Sequence, residues 1–460
     1  MSGRTAGDVL RAQLAVLRDA ANEVRRARWP RSYAFTFVAE LGAVLGVLVT
    51  LKVAGDVLGS AGFGEYAVAR RVISVLTFPL LVGLGTSTAR YVSLATGADS
   101  PGATATAYSL AALVIAVPIV IAFGLLALTA PAWFAQLFYG EVHYASLTRP
   151  IVVAVAGLYA HTLVYANYRG RLRMWVANLL QLWNLGLVPA LAVLASGRNV
   201  AAAVEITGVA WLTTAIVVAC WGAVRAGLGR WTAHAVRSAT RDLLRFGLPR
   251  VAGEFALFGF FALPTFYVAH TAGVESAGFL SFALSLVQAL SSLFSAVGVL
   301  LLPYVSRQVG AGNWERVADV VSRSLAASLL VTLVLVAVLH ATLGWLIPLV
   351  MGQTFALAVG PARWLITGAI PFVTYTLLRE PLDGIAVWPY NSVNLVVALA
   401  IMLALLWLGR PRIAPGPAVA IGQLLLGALT LFAWRRALAR ARSAPPAPVA
   451  AVPGGSELGV

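Results

Sequence analysis

Twelve apolar runs of about twenty residues, separated by short stretches that carry arginine, leave this chain few possible folds. About 20 apolar residues is the length of a membrane-spanning helix. A helix satisfies its own backbone polar groups inside lipid, which an open strand does not. The runs cover 33–54, 66–89, 105–130, 148–167, 174–195, 200–224, 247–270, 277–304, 324–348, 362–380, 387–408 and 415–435. They are too long and too continuously apolar for the alternating strands of a membrane barrel. The expected fold is therefore an all-α integral membrane protein of about 12 transmembrane helices.

Composition agrees. The 460 residues are 60% hydrophobic and only 11% charged, against about 25% charged in soluble domains. The net charge of +16 would suggest nucleic acid in a soluble protein. Here the arginines sit in the short connections, where cytoplasmic loops concentrate them. With the N-terminus inside, 24 of the 33 basic residues fall on the cytoplasmic side, six fall outside, and Arg70, Arg71 and Arg250 lie within spans. That distribution predicts a membrane protein with both termini cytoplasmic and no nucleic-acid partner. Lys52 is the only lysine, and this Arg bias, with the high Ala and Gly content, points to a bacterial protein and hence to the inner (plasma) membrane. Residues 1–32 lack the apolar segment of a signal peptide. Leu10, Leu14, Leu17 and Val24 share one face among arginines, which predicts an amphipathic helix on the cytoplasmic leaflet. The Pro/Ala/Gly-rich end of the 436–460 tail reads as disordered.

An internal repeat organises the spans. Tyr91-Val92-Ser93 recurs as Tyr304-Val305-Ser306, an offset of 213. The same offset maps Trp175 to Trp388, Asn178 to Asn391 and Gln181 to Asn394. A six-helix unit keeps its orientation on duplication, so the halves are parallel repeats about an axis along the membrane normal. The expected organisation is a lobe at 33–224, a basic cytoplasmic linker at 225–245, and a second lobe at 246–435. Such two-lobed bundles enclose a central cavity and work by alternating access.

Charges inside spans are costly and mark candidate sites. Arg70 and Arg71 lie about one turn inside the outer end of the second run. They either snorkel to the outer headgroups or point into the cavity and hold an anion. Arg90, 19 residues beyond Arg71, is about 29 Å further along a continuous helix, so it belongs near the cytoplasmic face. Glu40 lies in the first run and Glu254 in the seventh, four residues after Arg250. A surface ion pair and a cavity carboxylate that carries a proton or sodium are both consistent with this spacing. Asn178, Gln181, Asn391 and Asn394 suit either sugar hydroxyls across the cavity or bonds between helices. Arg379, Glu380 and Asp383 read as a solvated cluster at a helix end.

Signals for catalysis are lacking: no Cys/His metal spacing, no P-loop and no GxSxG. The longest expected outer loop, 131–147, is short for a catalytic segment. The chain reads as a transporter and not an enzyme, without a cofactor.

Gly62-x-Gly64-Glu65-Tyr66, then an apolar helix with Gly83-Leu84-Gly85 and Arg90, resembles the start of the polysaccharide flippases. These are the O-antigen and exopolysaccharide translocases of the multidrug/oligosaccharidyl-lipid/polysaccharide exporter superfamily. Arg169-Gly170-Arg171, Phe246-Gly247-Leu248-Pro249 and Leu382-Asp383-Gly384 resemble later loops of the same family. The resemblance covers about 33–435. It implies a flippase for a polyprenyl-pyrophosphate-linked oligosaccharide, with membrane lipids, glycosyltransferases and a polymerase as partners. Related lipid II flippases usually carry fourteen helices against twelve here. A cation-coupled multidrug exporter on the same fold would rest on Glu40 and Glu254. A desolvated pyrophosphate needs cationic donors, and Arg70, Arg71, Arg90 and Arg250 are the candidates to hold it.

Overall fold

Gly59 divides the first long helical run in two. Its backbone angles (φ 70°, ψ 179°) lie in a region that is essentially restricted to glycine. Val47 and Phe78, 31 residues apart, line one cavity; on a straight helix they would be about 46 Å apart. The chain therefore doubles back at Gly59, giving α1 (31–58) and α2 (60–80). The computed structural model describes residues 31–96, 101–226, 231–310, 312–385, 388–410 and 412–443. The amphipathic helix expected over 1–32 lies almost wholly outside them, as does the tail after Ser443.

The remaining elements are α3 (Leu84–Thr96), α4 (Pro101–Thr129), the short α5 (Pro131–Tyr139), α6 (Thr148–Gly170), α7 (Met174–Ala195), α8 (Val200–Ala226) and α9 (Ala233–Gly247). They are followed by α10 (Val251–Ala272), α11 (Val274–Gly310), α12 (Trp314–Met351), α13 (Val359–Ile385), α14 (Tyr390–Leu408) and α15 (Pro415–Ser443). Eleven helical runs among the described residues are long and apolar enough to cross a membrane. The first, Val38–Leu80, contains the Gly59 reversal and counts as two, which gives the twelve expected spans. Large apolar side chains such as Leu126, Val217, Val334 and Leu408 remain exposed, as a lipid-facing surface requires.

The repeat is built into the backbone. Gly273, at the turn between α10 and α11, has angles (φ 84°, ψ 164°) close to those of Gly59, 214 positions earlier (273 − 59). Each lobe also has a six-residue 3₁₀ segment, Val142–Leu147 and Gln353–Ala358. The fold is thus two parallel repeats of six helices. We call the end that carries Gly59 and Gly273 the hinge face. The end with Arg90, Arg169, Arg171 and Arg225 is the basic face.

Three local features differ from the sequence-based expectation. The second span is interrupted: Val82 (φ 52°) and Gly83 (φ 72°) are left-handed, so α2 ends and α3 starts afresh. Gly83 fits because its neighbour is the Gly247 backbone; a Cβ there would come within 2.5 Å of the Gly247 Cα. The linker is not a loop. Residues 233–247 form α9, capped by the Thr232 hydroxyl, which accepts from the Ala235 amide. Its apolar face, Ala239 and Leu243, is buried beside Leu81, Leu84 and Tyr159 of the first lobe. The last helix runs on to Ser443, through Arg435, Arg436, Arg440 and Arg442.

Candidate functional site

The lobes meet along a seam in which α2 lies against α10 and α11. Near the hinge face the seam is tight because both helices carry glycine there. A Cβ on Gly64 would sit 2.5 Å from the Val274 carbonyl oxygen, and one on Gly278 would sit 2.6 Å from the Gly64 Cα. Phe63 fills the space beside this crossing, edge-on to Phe282 and Phe355. Towards the basic face, Phe78 stacks on Phe258 of the other lobe with centroids 3.6 Å apart.

Arg71 occupies the centre of the seam. It is twelve residues past Gly59 (71 − 59), about 18 Å along α2, so it lies about three turns, and not one, from the hinge end of its helix. Only 8% of it is exposed. Its Nε donates to the Ser281 hydroxyl at 3.0 Å, and Nη1 donates to the Gln288 side-chain oxygen at 2.8 Å. Its Nη2 donates to the Ser281 carbonyl at 2.9 Å and to the Ser285 hydroxyl at 3.0 Å. Four of the five guanidinium N–H donors are therefore spent on the opposite lobe. None of these acceptors is a carboxylate. Ser281, Ser285 and Gln288 follow one another at i, i+4 and i+7, one face of α11.

Each lobe has a cavity beside this clamp. In the first, a space of about 200 Å³ is lined by Arg70, Thr50, Tyr66, Ser74 and Thr207. Adjacent residues on a helix point about 100° apart, which is why Arg70 enters its own lobe while Arg71 crosses to the other. In the second lobe a space of about 170 Å³ is lined by Arg379, Gln288, Ser291, Ser295 and Tyr375. Gln288 thus touches both the clamp and the second cavity.

A third group gathers at the basic face. Arg90 on α3 and Arg250 at the start of α10 both lie over the ring of Phe246, at 4.9 Å and 3.6 Å. Arg250 also donates to the Phe246 carbonyl. Glu254 and Asp383 are within electrostatic reach of Arg250. Asn391 donates to Asp383 Oδ1 at 2.8 Å and to the Arg379 carbonyl at 2.9 Å, and Arg379 pairs with Glu380 at 2.7 Å. These charges tie α13 to α14. In the first lobe the matching side chains tie α7 to α1: Asn178 donates to the Thr36 hydroxyl and Gln181 to the Glu40 carboxylate, both at 2.8 Å. Asn394 is buried, and its Nδ2 has no partner among the described residues.

The family model described as a polysaccharide biosynthesis protein matches residues 31–309, more than half of the chain. The chain belongs to the polysaccharide biosynthesis protein family. No curated protein matches it significantly in sequence. Its fold matches that of a multidrug resistance MATE transporter of the MOP superfamily in an inward-facing conformation, with TM-score 0.73 and 14% identity over 88% of this chain and 99% of that one. An outward-facing conformation of a multidrug resistance MATE transporter of that superfamily matches with TM-score 0.58 at 13% identity, over 89% and 95%. A MOP superfamily transporter from Pyrococcus furiosus, described as having a binding pocket of reversed polarity, matches with TM-score 0.61 at 13% identity, over 90% and 96%.

Within this family member the ten residues singled out from sequence fall into separate groups. Arg71 is the interlobe clamp and Arg70 lines the first cavity. Arg90, Arg250 and Glu254 meet at the basic face beside Asn391. Asn178, Gln181 and Glu40 lie together between α1 and α7, and Asn394 is buried on α14. Sequence reading missed the serine and glutamine stripe of α11, although its i, i+4, i+7 spacing was visible. It also passed over His161 and Asn184, both almost fully buried, whose side chains meet at 3.1 Å inside the first lobe. Asn184 lies in the π-helical turn Leu182–Leu187. Its backbone carbonyl accepts from the Trp211 indole. Such π turns gather at functional sites, and residue spacing alone does not reveal them.

Proposed function

We propose that this protein is a flippase that moves a polyprenyl-pyrophosphate-linked oligosaccharide across the bacterial inner membrane by alternating access, for cell-surface polysaccharide synthesis. The observation that carries the reading is the row of arginines along the seam. Arg70 and Arg71, Arg379 in its pair with Glu380, and Arg90 and Arg250 at the basic face line a path from the centre of the seam to one end of the molecule. Arg71 is held by neutral acceptors, so its full charge is left for an anion. Arg presents a planar fork suited to phosphate oxygens, and a desolvated pyrophosphate needs such donors. The neutral side chains Asn178, Gln181, Asn391 and Asn394 are suited to sugar hydroxyls. The polyprenyl tail stays in lipid.

The 24-to-six distribution of basic residues supports a cytoplasmic basic face. The tight hinge half of the seam, and the better fit to the inward-facing than to the outward-facing solved structure, support an inward-facing state. Loading then occurs at Arg90 and Arg250, and release requires Arg71 to leave α11. Glycosyltransferases on the loading side and a polymerase on the release side are the expected partners, with proton or sodium coupling through Glu254 or Glu40.

Replacing Arg70, Arg90, Arg250 and Arg379 together with Ala abolishes glycan export while the protein stays in the membrane. Undiminished export by the quadruple variant overturns this site. The likeness to multidrug transporters favours a second reading, a cation-coupled exporter. It predicts increased drug susceptibility, with intact surface glycan, in a strain lacking the gene.

A further inference from the structure

A crevice of about 190 Å³ opens at the basic end of the first lobe, between α4, α6 and α8. It lies apart from the seam. Its walls are largely apolar, and three of its lining residues, Leu113, Ala219 and Ala223, are exposed on the lipid-facing surface. The crevice therefore opens sideways into the leaflet that borders the basic face. Two arginines, Arg171 and Arg173, also line it.

These arginines are held in place by the turn between α6 and α7. Leu172 is left-handed (φ 56°), a strained conformation for a residue with a branched side chain. The turn is closed by the Leu172 amide on the Arg169 carbonyl and the Arg173 amide on the Tyr168 carbonyl. Arg171 is fixed further by its Nε, which donates to Asn167 Oδ1 at 2.7 Å. Asn167 in turn donates to the Ser109 hydroxyl at 2.7 Å. No carboxylate among the described residues forms an ion pair with Arg171 or Arg173. Burial lowers the pKa of Arg171 below the usual guanidinium value, and the like charge of Arg173 lowers it further. Each arginine therefore lacks the counter-charge that would settle it.

A second observation comes from the wall of the same crevice. Thr88 is 1% exposed and lines it, and its hydroxyl has no hydrogen-bond partner among the described residues. Buried hydroxyls are generally satisfied, so an acceptor belongs in this space. The opening towards lipid, the apolar walls, the paired cations and the waiting donor match one class of molecule. We propose that the crevice binds a membrane phospholipid with an anionic headgroup. Arg171 and Arg173 hold the phosphate, an acyl chain lies beside Leu113 and Ala219, and Thr88 donates to an oxygen of the lipid. Bound there, the lipid links the start of α7 to α4 and α8.

The test is lipid retention by the full-length protein, read by native mass spectrometry. Delipidated protein is mixed with phosphatidylglycerol or with phosphatidylcholine of identical acyl chains. The wild type retains phosphatidylglycerol preferentially. Losing the charge-assisted bonds in the Arg171→Ala/Arg173→Ala variant weakens retention about tenfold. Ala219→Trp keeps the charge but fills the crevice, and it also loses retention. Arg225→Ala, whose guanidinium stacks on Trp221, retains as much as the wild type. Equal retention of the two lipids, or undiminished phosphatidylglycerol on both crevice variants, overturns the proposal. Displacement of the lipid by inorganic phosphate would also overturn it, because it would mean that a free anion is the ligand.

Discussion

The helices α2 and α11 start from the same hinge and end with opposite chemistry. Gly59 and Gly273 set the same backbone turn before each. Gly64 and Gly278 then let the two helices cross in contact. Beyond that crossing, α2 presents Arg70 and Arg71, whereas the aligned positions of α11 are Ala283 and Leu284, both fully buried. In exchange α11 carries Ser281, Ser285 and Gln288, which accept all four bonds from Arg71. A duplicated scaffold has thus divided one interaction into a donor helix and an acceptor helix. Intramembrane charge is expensive, and the division explains how one can be kept in the seam: each copy supplies what the other lacks. Such a joint is also reversible, because neutral acceptors bind an arginine less tightly than a carboxylate would.

Restoring symmetry should be the most damaging change. Leu284→Arg places a second guanidinium in an apolar site without acceptors, at a cost of several kcal/mol. The expected outcome is no folded protein in the membrane fraction. Removing the donor comes next. Arg71→Ala deletes four interlobe bonds and leaves the α11 stripe without its donor, a loss of about 2–4 kcal/mol. It is read as a lower unfolding temperature in detergent. Arg71→Lys keeps the charge but not the fork, and recovers only part of that loss. Gly64→Val tests the crossing itself. Its Cβ meets the Val274 carbonyl, and overpacking of this kind costs about 1–3 kcal/mol. A cysteine pair across the hinge half should then cross-link more slowly. Ser285→Ala removes a single acceptor and should cost about 1 kcal/mol or less.

The extent to which the sequence disclosed this arrangement depends on the kind of signal. Span length and arginine placement are summed over many residues, so twelve helices and a six-helix repeat could be read directly. Asn178 and Asn391 showed the repeat because polar residues inside apolar runs are few. Arg71 lies about three turns into its helix and not one, because α2 starts at the Gly59 reversal and not at residue 66. The interruption at Val82 and Gly83 left no trace in hydropathy, since left-handed residues there are as apolar as their neighbours. Arg379 read as a solvated helix end. It lines the second cavity, and the helix that carries it continues to Ile385 instead of ending there. The linker helix α9 was legible in principle, with Ala239 and Leu243 one turn apart, but its arginines drew attention to charge instead of periodicity.

The central claim is that the arginine-lined seam carries an anionic lipid-linked glycan. The most direct test reconstitutes the purified protein in vesicles and compares two substrates with the same polyprenyl chain and the same sugar. One is linked through pyrophosphate and the other through an uncharged linker, and translocation is followed by accessibility of the sugar to an added lectin. The account predicts transport of the pyrophosphate-linked substrate and little or none of the uncharged one. Equal transport of both, or preference for the uncharged substrate, would contradict it.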